Sequence, residues 1–464
     1  MCKPRFNLVN QFKIHLLNKP FRNFGVKSMN PEFITQNEPE TTGRYIVTFR
    51  EGASTEAVAA LENSTGVRDS DLVRSADFQD SGIDMAQIPS EGGAVLGNLG
   101  MAVVNAAPDA AGALAMEAGE DSAILAVEPE GIMYALSELK GVSIDYLRGF
   151  RDCAQNLYTS ASSAPPGGEG GTDLIEAAAF LNSPTHTWGL IATRAAASRF
   201  TGQGINVAVL DTGLFLSHPD FVGRSIVSRS FIPGVGSAND GHGHGTHCTG
   251  TACGPFKPAV GPRYGVAYKA NIYIGKVLSD SGSGGDGGIL AAIDWAVANR
   301  CQVISMSLGA DVPSSTTFYE TAGQRALNAG SLIVAAAGNN ANRSARNFGF
   351  VGRPANSRTF MAVGALDGNL RMGNFSARDK ALATGTAVDI AAPGVAVYSS
   401  WPMPTRHRTI DGTSMATPHV AGIAALWAQS SGARGAALWQ QVITSARALS
   451  LPIVDVGRGL VQAP

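Results

Sequence analysis

Two rhythms of apolar residues divide the chain. From Arg44 they come in short bursts: Arg44 to Phe49 reads as a strand, Thr55 to Asn63 as a helix, and Ala94 to Val104 as one or two strands. Ala110 to Ala118 follows as a second helix and Ala123 to Val127 as a closing strand, the β-α-β-β-α-β order of a small α+β unit. Glu128 to Leu136 reads as extended chain running past that strand. Beyond Trp188 the apolar runs Ile205–Leu210, Ile272–Val277, Val303–Leu308, Leu332–Ala337 and Phe360–Gly364 alternate with the helical stretches Ile289–Asn299 and Phe318–Asn328. Such alternation predicts a parallel sheet covered on both faces, with function at the carboxyl ends of its strands.

Between the two regions, 137–158 is weakly helical and Ser160 to Gly171 is a linker of small and turn-forming residues, open to proteolysis. Residues 1–28 carry six Lys/Arg and no acid, but no continuous apolar core of a secretory signal; they are either a weak targeting segment or foreign sequence ahead of Met29. The resulting division is a tail over 1–42, a ferredoxin-like α+β domain over 43–136, a linker and maturation region over 137–185, and an α/β parallel-sheet domain over 186–464.

Composition narrows the function classes. With 44% hydrophobic and 16% charged residues, the 464-residue chain can bury a large core, and a net charge of −2 gives no electrostatic case for nucleic acid. No run approaches the roughly 18 apolar residues of a membrane span. Cys2, Cys153, Cys248, Cys253 and Cys301 have no metal-ligand spacing, and their odd number leaves a free thiol.

Three stretches carry chemistry. Gly412 to Gly422 (GTSMATPHVAG) reads as a polar turn entering a helix with almost no charge from Met415 to Trp427, hence buried all round. Ser414 stands at its mouth, where backbone N–H and the helix dipole suit a nucleophile that must stabilise an oxyanion. Pro418 is placed in the first turn, and Gly422, about 1 kcal/mol worse than Ala in a helix interior, implies a closely packed neighbour. Asp211 ends the strand Ile205–Leu210, and Gly243-His244-Gly245-Thr246-His247 opens another small-residue helix. A strand-end carboxylate holding Nδ1–H of a histidine leaves Nε2 free to take a serine proton. His242 and His247 compete with His244 for that role; His247 lies inside the helix and reads as structural.

Asp211-Thr212-Gly213, His244-Gly245-Thr246-His247, Ala337-Gly338-Asn339 and Gly412-Thr413-Ser414-Met415-Ala416-Thr417-Pro418, in that order, resemble the subtilisin-like serine proteases over about 186–464. Cys248, directly after His247, is shared with the proteinase K-like branch. The resemblance implies a serine endopeptidase with Ser414 as nucleophile, His244 as base and acid, Asp211 as orienting carboxylate and Asn339 as side-chain oxyanion donor. It implies that Gly282-Ser283-Gly284 and Ser307-Leu308-Gly309 flank an extended peptide. The first specificity pocket is then walled by Ser307-Leu308-Gly309 and Ala336-Ala337-Gly338 with Gly352 at its base, suited to large uncharged side chains unless Arg353 points inward.

Residues 43–136 resemble the inhibitor-type propeptide of these proteases, which implies a self-inhibited zymogen cleaved near Tyr134 to Leu136 and trimmed again between Ser160 and Thr187. The resemblance also implies protein or peptide substrates, a secreted monomer, no nucleic-acid or membrane partner, and no cofactor for the chemistry. Relatives often hold calcium at a carboxylate like that of Asp220, but the loop Gly254-Pro255-Phe256-Lys257-Pro258 lacks polar ligands for it. Two other classes compete: a silent peptide-binding or chaperone-like module on the same fold, which intact Asp211, His244, Ser414 and Asn339 oppose, and an α/β-hydrolase esterase. The esterase requires G-x-S-x-G and the order Ser, Asp, His, neither of which is present.

Overall fold

The computed structural model describes residues 40–83, 88–89, 92–136, 180–378 and 388–464. Residues 1–39 of the N-terminal tail and 137–179 of the linker lie outside them. Within the small α+β unit the order is β1 (Thr41–Phe49), helix Ser54–Thr65, β2 (Leu72–Arg74), β3 (Gly93–Leu96), β4 (Met101–Val104), helix Pro108–Glu117 and β5 (Ile124–Ala135). The first helix stops at Gly66, whose φ of +74° and N–H bond to the Glu62 carbonyl (2.9 Å) make a left-handed cap. Pro108 starts the second helix, where its missing N–H is harmless.

Strand periodicity explains why β3, β4 and the second half of β1 are apolar at nearly every position. Val47, Phe49, Val95, Ala102 and Val104 face the unit's own helices, in one cluster with Val58, Leu61 and Leu114. Their alternates Ile46, Ala94, Leu96, Met101 and Val103 join a second cluster with Leu290, Ile293, Phe318 and Ala322 of the large domain. The sheet is therefore buried on both faces, the second against helices Asp286–Ala298 and Thr317–Asn328. Polar groups pin the same contact. The Arg325 guanidinium donates to the Phe49 (2.6 Å) and Gly100 (2.9 Å) carbonyls, Asp294 accepts the Leu99 N–H (3.1 Å), and Glu128 accepts the N–H groups of Thr317 and Phe318 (3.1 and 3.2 Å) at a helix start.

The large domain contains β6 (Asn206–Asp211), β7 (Ile226–Ser230), β8 (Asn271–Lys276), β9 (Ser283–Gly285), β10 (Val303–Met306), β11 (Leu308–Gly309), β12 (Leu332–Ala336), β13 (Met361–Leu366), β14 (Ile390–Pro393), β15 (Val397–Ser400) and β16 (His407–Ile410). Seven of these form a parallel sheet in the order β14-β13-β12-β10-β6-β8-β7, as the alternation of elements predicts. Helices His244–Cys253, Thr413–Ser431 and Gly435–Thr444 share one core with one face, while Asp286–Ala298 and Thr317–Asn328 cover the other. Gly422 lets two helices close up: a Cβ there would lie 2.9 Å from the Ala252 carbonyl.

Two placements differ from the sequence reading. The chain is already docked at Phe180, whose N–H bonds the Gly368 carbonyl (2.7 Å), ahead of the boundary drawn at 186. The nucleophile-bearing helix begins at Thr413, so Pro418 lies in its interior and not in the first turn. No helix of the described residues is long and apolar enough to cross a membrane.

Candidate active site

The carboxyl ends of β6, β10 and β12 converge on one cleft. Asp211 closes β6 and is buried, with Oδ1 accepting the Nδ1–H of His244 at 2.6 Å and the N–H of Thr212 at 2.7 Å. His244 is the first residue of its helix and fully buried, and its Nε2 has no partner among the described residues. Burial alone disfavours the imidazolium, but the Asp211 carboxylate outweighs it and holds the His244 pKa well above its ordinary value. The competing histidines separate by position. His247 is buried with Nε2 at 3.0 Å from the Val397 carbonyl, and burial pushes its pKa down to about 3. His242 is half-buried beside Gly282.

Ser414 is the second residue of its helix, with Oγ donating to the Ser307 carbonyl at 3.0 Å. Pro418, four residues on, has no N–H for the Ser414 carbonyl, which would otherwise accept the helix bond. That oxygen instead accepts the Ser307 hydroxyl (2.8 Å) and the Cys248 thiol (3.6 Å). Burial pushes the Cys248 thiol up and keeps it protonated, a donor lying 3.9 Å from His244 Nδ1. Cys248, Cys253 and Cys301 are all buried free thiols.

Asn339 follows β12. The N–H and hydroxyl of Thr413 both donate to its Oδ1 (3.0 and 2.8 Å), which fixes the amide so that Nδ2 points outward. Nδ2 donates to the carbonyl of Leu136. That carbonyl lies one residue past β5, whose end leaves its own sheet and lies between two strands of the large domain. Ile132, Met133 and Tyr134 pair antiparallel with Gly285, Gly284 and Ser283, and Tyr134 and Ala135 pair with Gly309 and Leu308 on the other side. The Ala135 N–H reaches the Gly282 carbonyl at 2.9 Å.

Leu136 projects against Gly309, where a Cβ would come 3.1 Å from its Cδ1. Ala336, Ala337 and Gly338 continue β12 toward Asn339, and Gly352 is tied to them through its N–H on the Ala337 carbonyl (3.0 Å). Arg353 does not enter this pocket. Its Nη1 lies 3.7 Å from where a Cβ on Gly131 would be, in a separate corner.

A buried acid beside the Asp211–His244 pair escaped the sequence reading. Asp240 accepts the hydroxyl of Thr212 (2.9 Å), the N–H of Gly243 (2.8 Å) and both the N–H and hydroxyl of Thr246 (2.9 and 2.6 Å), locking the end of β6 to the His244 helix. Its only signal is an acid one helical turn before the histidine. Asp220 resembles a calcium ligand in sequence alone. Its oxygens accept Tyr264 Oη–H (2.7 Å), His407 Nε2–H (2.8 Å) and the Ala259 N–H (3.2 Å), with the Arg406 guanidinium 3.7 Å away. A ring of hydrogen donors with a resident cation does not fit a hard divalent ion, which needs oxygen acceptors.

A parallel α/β domain with an Asp–His pair, a helix-mouth serine and an extended segment between two edge strands defines a serine endopeptidase. The profile of the subtilase family, Peptidase S8, matches residues 202–459, and the chain belongs to that family. It is 42% identical to M-protease of Shouchella clausii over 247 residues, 53% of this chain and 60% of that protein. Subtilisin Savinase of Lederbergia lenta is 42% identical over 247 residues and 84% of its length, and subtilisin DY of Bacillus licheniformis 39% over 235 residues and 80% of its length.

Proposed function

We propose that the chain is a self-inhibited zymogen whose residues 43–136 occupy their own active site until the peptide bond after Leu136 is cut. The observation that carries this reading is the hydrogen bond from Asn339 Nδ2 to the Leu136 carbonyl, at the end of a strand paired on both sides like a bound peptide. Ser414 Oγ turns from the Ser307 carbonyl to attack the Leu136 carbonyl carbon, and His244 Nε2 takes its proton. The oxyanion gathers on the side facing Asn339. Collapse breaks the C–N bond to Ser137, whose amine takes the proton from Nε2, and water then releases the acid by the same steps.

Asp211 holds the imidazole tautomer, and the leucine at the pocket supports a preference for large uncharged residues before the cut. Cys248 beneath His244 supports the proteinase K-like branch. The test is intact mass and N-terminal sequencing of wild type and Ser414→Ala. Wild type is expected to yield a fragment ending at Leu136 and an active remainder, and the variant to stay whole. Wild type that is not cut after Leu136, or cleavage in the variant, overturns the reading, whereas a further trim between Ser160 and Thr187 is the expected second step.

A further inference from the structure

Besides the Asn339 bond at Leu136, the segment in the cleft makes a further contact with the large domain that strand pairing does not supply. Its pairing with β9 ends where Ile132 meets Gly285, and the next N–H along the chain, that of Gly131, turns to a side chain: Asp286 Oδ2 accepts it at 2.9 Å. Asp286 is fully buried as the first residue of its helix, and its other oxygen accepts the Tyr319 hydroxyl at 2.6 Å. Held at both ends, this carboxyl leaves little room beside it. A Cβ on Gly131 would come 3.1 Å from Oδ2, closer than ordinary van der Waals contact, and 3.7 Å from Nη1 of Arg353. Arg353 closes the corner from the other side, with Nη2 on the Ser314 carbonyl (3.4 Å) and Nε buried without a partner among the described residues.

We infer that Asp286, pinned by Tyr319 and walled by Arg353, forms a sixth subsite that reads the N–H of the residue six positions before the cleaved bond and selects glycine there. This rests on Leu136 being the residue before that bond. The substrate class is then an extended peptide with an unbranched, N–H-bearing residue at the sixth position. Proline fails because it offers no N–H, alanine because its methyl crowds Oδ2, and β-branched residues fail further.

The test uses wild-type enzyme after its own maturation and blocked peptides ending Ile-Met-Tyr-Ala-Leu before the cleaved bond, either as the pentapeptide or extended by Gly, Ala or Pro. The Gly peptide is expected to exceed the pentapeptide in kcat/KM by about tenfold, the worth of one buried hydrogen bond. The Ala peptide should fall several-fold below Gly, and the Pro peptide to the pentapeptide level. In Asp286→Ala the ratio of Gly peptide to pentapeptide should drop to about one whatever the absolute rates, and Tyr319→Phe should narrow the gap between Gly and Ala. Product masses separate two failures. Cutting at another bond sinks the assignment of Leu136, whereas cutting after leucine at equal rates for Gly, Ala and Pro peptides sinks the sixth subsite alone.

Discussion

Thr413 sets the direction of the Asn339 amide. By giving both its N–H and its hydroxyl to Oδ1, at 3.0 and 2.8 Å, it leaves Nδ2 as the group that faces the Leu136 carbonyl. Asn339→Ala should lower kcat by about 10²–10³ with little change in KM, a magnitude taken from the same kind of donor in a subtilisin and not from this geometry. Thr413→Val removes only one of the two holding bonds, so a loss of roughly tenfold is expected. Steady-state kinetics on the matured enzymes check both, and a Thr413→Val enzyme as fast as wild type would show that Asn339 needs no such hold.

The Asp211–His244 pair dictates the pH profile. His244 must be neutral to accept the serine proton, so activity rises with pH through its titration, and the Asp211 carboxylate moves that titration upward. The ascending limb of kcat/KM should therefore lie above pH 6.5 and level off on the alkaline side. Asp211→Asn should cost about 10⁴ in kcat, the scale seen when an orienting carboxylate is lost, and shift the limb to lower pH.

The contact between the two domains should loosen as pH rises from about 4 to about 7. Burial pushes the Asp286 carboxyl up to about 7, and Tyr319, the Gly131 N–H and Arg353 pull against it while Glu130 pushes further. Burial also raises Asp294 and Glu128. A group that binds a proton more tightly in the closed state favours closure below its ordinary pKa. That advantage falls by up to about a decade per pH unit until the raised value is reached, then stays level. In the uncut Ser414→Ala chain, amide-exchange protection of Ile132 to Ala135, corrected for intrinsic rates, should decline over this window and flatten above pH 7. Adding Asp286→Asn should remove the largest part of the slope, and an unchanged slope would acquit Asp286.

Acid should attack the fold at Asp220. Burial alone would raise this carboxyl, but bonds from His407, Tyr264 and the Ala259 N–H outweigh it and hold it at about 2. A depressed pKa stabilises the fold above the ordinary carboxylate range, and the gain disappears as pH falls through about 4 toward 2. Asp220→Ala in the Ser414→Ala background should lose about 3 kcal/mol at pH 7, as for a buried pair stripped of one partner, and show a shallower acid transition. Denaturant melts at pH 7 and pH 3 measure both.

Much of this was legible in the residues because the chemistry is tied to chain punctuation. Asp211 ends an apolar run, His244 opens a small-residue helix, and Ser414 stands before an uncharged one. The strands of the parallel sheet that escaped notice, Ile226–Ser230 and Ile390–Pro393, are its two edges, where one is partly exposed and the other closes on a proline. The grip of Thr413 on Asn339, the direction of Arg353 and the meeting of Asp286 with Gly131 depend on residues far apart in sequence. No local pattern encodes them. Pro418 misled in a simpler way: a proline suggests a helix start, whereas the helix here begins five residues earlier at Thr413.

That interior proline costs a helix about 3 kcal/mol in an ordinary setting, and here it leaves a peptide oxygen with a different use. The Ser414 carbonyl meets Ser307 from the substrate-flanking strand and Cys248 from the helix of the base. Nucleophile, peptide-binding edge and base thus share a common origin, one atom from which their positions are all measured. A displacement of any of them is felt at that atom, so alignment of the catalytic parts survives the arrival and departure of a peptide as a property of the frame and not of the occupant.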